Sequence, residues 1–190
     1  MGQKKILLDS NAYFRLAPHI HSLLKTPFGK DNYCLYVIAD IQKEYDNNPR
    51  LRKKFTWVNS LEYTENRSDQ LNISTTQHHE IERAYGVIEG TAIDKRLAVS
   101  PIDIKCLAKG DLLEIPVVTD DNDMNTLAKL FVIRTLRSLN LLKLMLECQH
   151  INMEKVIEVA MHWIYYDLPR KREGFFRKEY KALFNEELPG

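Results

Sequence analysis

Carboxylates recur along this chain where apolar runs give way to helix starts. Asp9 closes the run in KILLDSNAYF, Glu44 lies in VIADIQKEY, Asp103 in SPIDIKCLA, and Asp120, Asp121 and Asp123 crowd PVVTDDNDM. Oxygen donors of this type suit hard divalent cations, which neutralise carboxylates that would otherwise repel one another. Such a cation lowers the pKa of a bound water and stabilises a leaving oxygen, the two needs of phosphodiester hydrolysis. Each acid also has a plainer reading. Asp9 can cap a helix, and Asp103 stands three residues after Ser100, as in a capping box. The aspartates at 120–123 favour a helix start electrostatically, and Glu44 can be a solvated helix residue. Their shared placement favours the metal reading, because strand-to-helix junctions of a parallel sheet lie on one edge.

The elements that must position these acids follow from the apolar pattern. Residues 5–8 form a short strand, and Ser10 or Asn11 caps a helix expected through Leu24, with Ala12, Leu16, Ile20, Leu23 and Leu24 on one face. A second strand is expected at 34–38, followed by a helix carrying Glu44 and another over 49–58. The stretch 62–77 is rich in Asn, Ser and Thr and reads as a loop. A helix over 78–94 and one opened by Ser100-Pro101 come next. Strands at 115–119 and 131–136 flank a helix capped by Asp121 or Asn122. Strand and helix alternate, so the expected fold class is α/β: a three-layer parallel sheet flanked by helices. From Leu139 the pattern turns helical. Asn152 caps one helix, Pro169 ends it, and Phe175, Phe176, Tyr180, Leu183 and Phe184 mark another. The expected organisation is a domain over 1–138 and a helical C-terminal extension over 139–190, packed on that domain or on a partner.

Taken in order, KILLDSNAYF, VIADIQKEY, SPIDIKCLA and PVVTDDNDM resemble the PIN domain family of metal-dependent nucleases, over about residues 4–136. The resemblance implies a PIN-like fold in which Asp9, Glu44, Asp103 and Asp121 are the core catalytic and metal-binding acids. Asp123 and Asp120 are further metal neighbours, and Ser10, Asn11 and Thr119 are small polar residues beside the site. It implies Mg2+ or Mn2+ as cofactor and endonucleolytic cleavage of RNA, with DNA as the other substrate, leaving a 5′-phosphate and a 3′-hydroxyl. A toxin-like role, with a small inhibitory protein as partner, belongs to the same expectation. The alternative is a PIN-like nucleic-acid-binding or assembly module with little or no catalysis, to which the helical extension gives a partner surface or a homodimer interface.

Composition bounds these readings. Lys and Arg total 27 against 26 for Asp and Glu, so any polyanion must be held by a local patch. Lys105, Lys109 and Arg134 are the expected nucleic-acid contacts. Arg52-Lys53-Lys54 and Arg170-Lys171-Arg172 are charge runs of the kind that more often forms a solvated helix face. Cys34, Cys106 and Cys148 are dispersed without CxxC spacing, which disfavours structural zinc and suits a reducing cytosol. No secretory signal and no membrane-length apolar stretch is read, so the expected location is cytoplasmic, away from membranes. His78-His79-Glu80 lacks the spacing of a helical metal motif. There is no glycine-rich phosphate loop and no GxSxG elbow, and Asn11 stands where a haloacid-dehalogenase-type phosphatase needs its second Asp.

Overall fold

The computed structural model describes residues 2–68 and 71–190. Asp69 and Gln70, inside the expected loop, lie outside the described residues, as does Met1. Strands β1 (Lys4–Leu8), β2 (Tyr33–Val37), β3 (Val117–Val118) and β4 (Thr135–Leu136) form a sheet of order β2-β1-β3-β4, with every pair parallel. The helices are α1 (Ser10–Leu16), α2 (Ile41–Asn47), α3 (Pro49–Lys54), α4 (Leu61–Ser68), α5 (Thr75–Asp94), α6 (Pro101–Leu112), α7 (Asn122–Leu130), α8 (Ser138–Glu147), α9 (Met153–His162) and α10 (Arg170–Phe184). The protein is therefore α/β, with a parallel sheet between helical layers.

Side-chain alternation along the strands builds the layers. Ile6 and Leu8 of β1 and Val118 of β3 join one core with Phe14 of α1 and Tyr45 of α2. Leu7 and Val117 face the opposite way, into a core with Ile81 and Ile88 of α5, Leu107 of α6 and Leu127 of α7. The C-terminal helices belong to the first layer. Leu141, Met145, Val159, Trp163 and Tyr180 are buried in the same cluster as Ile6. Residues 139–190 thus cover the face of the sheet that α1 alone is too short to cover.

Several boundaries differ from the sequence reading. The first helix stops at Leu16, because Pro18 has no N–H to extend it, yet Leu23 and Leu24 stay buried. The expected 49–58 helix splits into α3 and a 3₁₀ turn, Thr56–Asn59. The two later strands shrink to two paired residues each. The polar stretch at 62–77 is not one loop. It holds α4 and the start of α5, whose Ser74 and Gln77 form a reciprocal capping box. Its polar side chains serve the backbone: Asn66 exchanges two hydrogen bonds with the main chain of Leu24, at 3.2 and 3.0 Å.

Helix α6 approaches β3 closely at Gly110. A methyl group there would press into Val117 Cγ2 and stand 3.1 Å from the Ile115 carbonyl oxygen. Overpacking of this kind outweighs the better helix propensity of alanine. Gly110→Ala should lower the unfolding free energy by about 2 kcal/mol in a urea titration, and an unchanged midpoint would refute the close approach.

Candidate acidic site

The sheet order places Asp9 and Thr119 at its switch point. The chain leaves β1 toward β2 on one side, and later returns to build β3 on the other, so the carboxyl ends of β1 and β3 flank a crevice. Asp9 follows β1 directly, and its N–H donates to Val118 at 3.0 Å. Its Oδ1 caps α1 by accepting from the Ala12 N–H at 2.6 Å. Asp9, not Ser10 or Asn11, is therefore the cap. Its other oxygen, Oδ2, is buried without a hydrogen-bond partner.

Glu44 reaches this edge from one turn inside α2. Its Oε2 is likewise buried, with the Ser10 hydroxyl as its polar neighbour. Asp103 sits in the first turn of α6 and turns back on its own cap: Oδ2 accepts from the Ser100 hydroxyl at 2.7 Å and the Ser100 N–H at 3.3 Å. Asp121 caps α7 by accepting from the Met124 N–H at 2.7 Å, and Thr119 Oγ1 accepts from the Asp121 N–H at 3.1 Å. Asn11 is exposed and lines a cleft with residues 120–123.

These acids feel one another. Burial raises the Asp9 carboxyl to about 7; the Thr119 hydroxyl and the Ala12 amide oppose the rise, and the charges of Asp120 and Asp103 add to it. Burial also raises Glu44, against the nearby Ser10 hydroxyl and with the help of Asp103. Asp103 is raised by burial, opposed by Ser100 and reinforced by Asp121. The four core acids of the sequence reading thus form one electrostatic group. As placed, however, no three His, Cys, Asp or Glu side chains among the described residues are gathered tightly enough to hold a metal ion. Local hydrogen bonds explain the spread, since Asp103 is drawn to Ser100 and Asp121 to its own helix.

No protein-family model matches this chain, and no curated protein matches it.

The remaining candidates divide into those used elsewhere and those left open. Asp120 is spent on structure, with Oδ2 at 3.2 Å from Arg15 and Oδ1 accepting from the Ser138 N–H at 3.0 Å. Asp123 accepts from the Ala98 N–H at 2.8 Å and so ties the α5–α6 connection to α7. Among the expected cations, Lys105 is paired with Asp40 at 3.0 Å. Lys109 is buried at 8% exposure, too enclosed to greet a polyanion; burial and the charge of Lys105 lower its pKa. Arg134 precedes β4, and its charge bears on Lys4 at the start of β1, the end of the sheet away from Asp9. Cys106 is fully enclosed, with burial and then Asp9 pushing its thiol well up, which leaves no thiolate nucleophile.

Two features escaped the sequence reading. Asp40 stands closer to the end of β2 than Glu44 does, and the rule that favours an acid just past a strand would have selected it. Burial pushes Asp40 up, but the hydrogen bond and charge of Lys105 outweigh it and leave the carboxyl below its usual range. The second is a cleft of about 600 Å³, lined on one side by Asn11, Arg15 and residues 120–123, and on the other by the start of α10. Nothing in the local sequence announces that α10 folds back to this edge.

Proposed function

We propose that the chain is a metal-dependent nuclease that hydrolyses RNA phosphodiester bonds at the carboxyl edge of its sheet. The observation that carries this reading is the pair of orphan oxygens, Asp9 Oδ2 and Glu44 Oε2. They come from separate strand–helix units, and both feel the charge of Asp103. Beside each stands only a hydroxyl, Thr119 at Asp9 and Ser10 at Glu44, with no cationic side chain among the described residues to neutralise it. Buried carboxylate oxygens normally find a donor or a cation. Hard oxygen donors fit Mg2+ or Mn2+, and Asp103 Oδ1 and Asp121 Oδ2, which make no protein hydrogen bond among the described residues, extend the donor set. When bound, such an ion supplies an acidified water and a Lewis acid for the leaving oxygen.

The residues of the chain supply the rest. Ala12 fixes Asp9 through Oδ1 and leaves Oδ2 to face the site. Thr119 accepts from the Asp121 N–H, which orients its own proton away from that bond and toward Asp9. Arg15 and the Ser138 amide hold Asp120 aside, so it adds charge to the site without competing for position. The resemblance to PIN nucleases agrees with this division of roles and with products bearing 5′-phosphate and 3′-hydroxyl ends.

Purified protein should cut single-stranded RNA in Mn2+ or Mg2+ and stop when EDTA is added, with the ends identified by ligation and by phosphatase sensitivity. Absence of cleavage in either metal from mildly acidic to alkaline pH would overturn the reading. The spread of the carboxylates favours a second reading, a nucleic-acid-binding module on the same scaffold. It predicts RNA retention in a gel-shift assay with no metal-dependent cleavage. No helix among the described residues is long and apolar enough to cross a bilayer.

A further inference from the structure

The cleft beside the acidic edge has two unlike walls. The wall from α1 and the start of α7 is acidic, and part of its charge is already answered: Arg15 meets Asp120 at 3.2 Å. Across the cleft, Arg137 approaches Glu179 of α10 at 4.0 Å. The start of α10 carries Lys171 and Arg172, both exposed lining residues whose side chains make no ion pair or hydrogen bond among the described residues. Phe175, one turn further on, also lines the cleft and is 70% exposed. Its neighbour Phe176 is buried against Trp163, so the helix spends one phenylalanine on the core and leaves the other in the opening. Pro169 gives α10 no side-chain cap.

Lys171, Arg172 and the bare Phe175 ring line one opening with the carboxylates of Asp120, Asp121, Asp123 and Glu179. Unanswered cations beside a bare ring are what a strand of nucleic acid needs to be held against those like charges. Cations meet phosphates, and a flat apolar face meets a base. We propose that this cleft receives a single-stranded nucleic acid and leads it to the acidic edge, with Lys171 and Arg172 on successive phosphates and Phe175 stacked on a base. The proposal deepens the nuclease reading and rests on it. A single strand is required because the base faces of a duplex are covered by their neighbours and cannot reach Phe175. An acidic peptide would satisfy the cations but would leave the ring without a partner.

The test is binding by fluorescence anisotropy, in EDTA so that no cleavage intervenes, with a labelled single-stranded oligoribonucleotide, its duplex, and a polyglutamate peptide. Lys171→Ala with Arg172→Ala should weaken single-strand binding about tenfold or more and reduce the salt slope by about 1.4, the value for two phosphates. Phe175→Ala should weaken it about tenfold at unchanged salt slope, and Phe175→Trp should restore it. All three side chains are exposed, so the variants keep their packing. Equal binding of the duplex, tighter binding of polyglutamate, or variants that bind like the native chain would each overturn the cleft's role. In Mn2+ the same variants should raise KM and leave kcat alone. Binding that behaves as described without any cleavage would retain the cleft and reject the nuclease. Cleavage with KM indifferent to the variants would do the reverse.

Discussion

Asp9→Asn should abolish metal-dependent RNA cleavage and, in the same preparation, raise the melting temperature of the metal-free protein at alkaline pH. The two effects have one source. Asp9 is fully enclosed, and burial raises its carboxyl from 3.8 to about 7. A carboxyl with a folded pKa above its unfolded one binds more protons when folded, over the window between the two values. Stability contributed by the protonated form is therefore complete below about pH 4 and is lost as pH rises toward 7. The gap between 3.8 and about 7 corresponds to about 4 kcal/mol at most, carried against folding once the group is ionised. Asparagine is nearly isosteric, has no charge to bury, and still offers an oxygen to the Ala12 N–H, so the cap on α1 survives. Denaturant titrations in EDTA should show the native chain weakening between pH 4 and 7 more steeply than the variant, which keeps only the smaller dependence from Glu44 and Asp103. Cleavage should fall by about a thousandfold or more, since the lost oxygen is the anionic donor. A variant that cuts RNA at the native rate would sink the site. A variant that is no more stable at pH 8 would sink the buried charge.

That an acid can be placed at a site yet be costly there explains which parts of this molecule were legible from sequence. Asp9 and Asp121 were legible because a parallel strand ends in a short turn, and a carboxylate just past it is fixed by the cap it makes. Glu44 was picked out at its strand–helix junction although Asp40 stands closer to the end of β2, and it is the ion pair with Lys105 that separates the two. Lys109 misled because a lysine on an amphipathic helix normally reaches solvent, whereas here α6 is packed between β3 and α5. The extension beyond residue 138 read as an appendage because its apolar stripes carry no address. In the folded chain they complete the layer containing Ile6 and Phe14 and bring Lys171 and Phe175 to the cleft.

The polar middle of the chain carries the largest expected loss of stability on substitution. Arg67 is 7% exposed. One guanidinium nitrogen donates to the Tyr13 hydroxyl at 3.0 Å; the other donates to Gln42 Oε1 at 2.7 Å and to the Val58 carbonyl at 2.8 Å. The same group lies 5.7 Å from the centre of the Tyr13 ring. These contacts join α4 to α1, to α2 and to the 3₁₀ turn. Arg67→Ala leaves a buried carbonyl and a buried hydroxyl without their donor and opens a cavity, and should cost about 3 kcal/mol. The melting temperature should drop by about 10 °C for a chain of this length. Arg67→Lys should recover little, because one ammonium cannot reproduce the forked geometry that reaches both helices. A loss below about 0.5 kcal/mol for the alanine variant, the scale of an ordinary surface change, would show that the strap is not structural. The strap also bears on chemistry. Tyr13 rides on the helix that Asp9 caps, and Gln42 lies two residues before Glu44 on α2. Well below the melting point, where the variant remains folded, kcat for RNA should still fall severalfold. A purely supportive arginine would leave it unchanged, so the rate at low temperature separates holding the fold from holding the two acids in position.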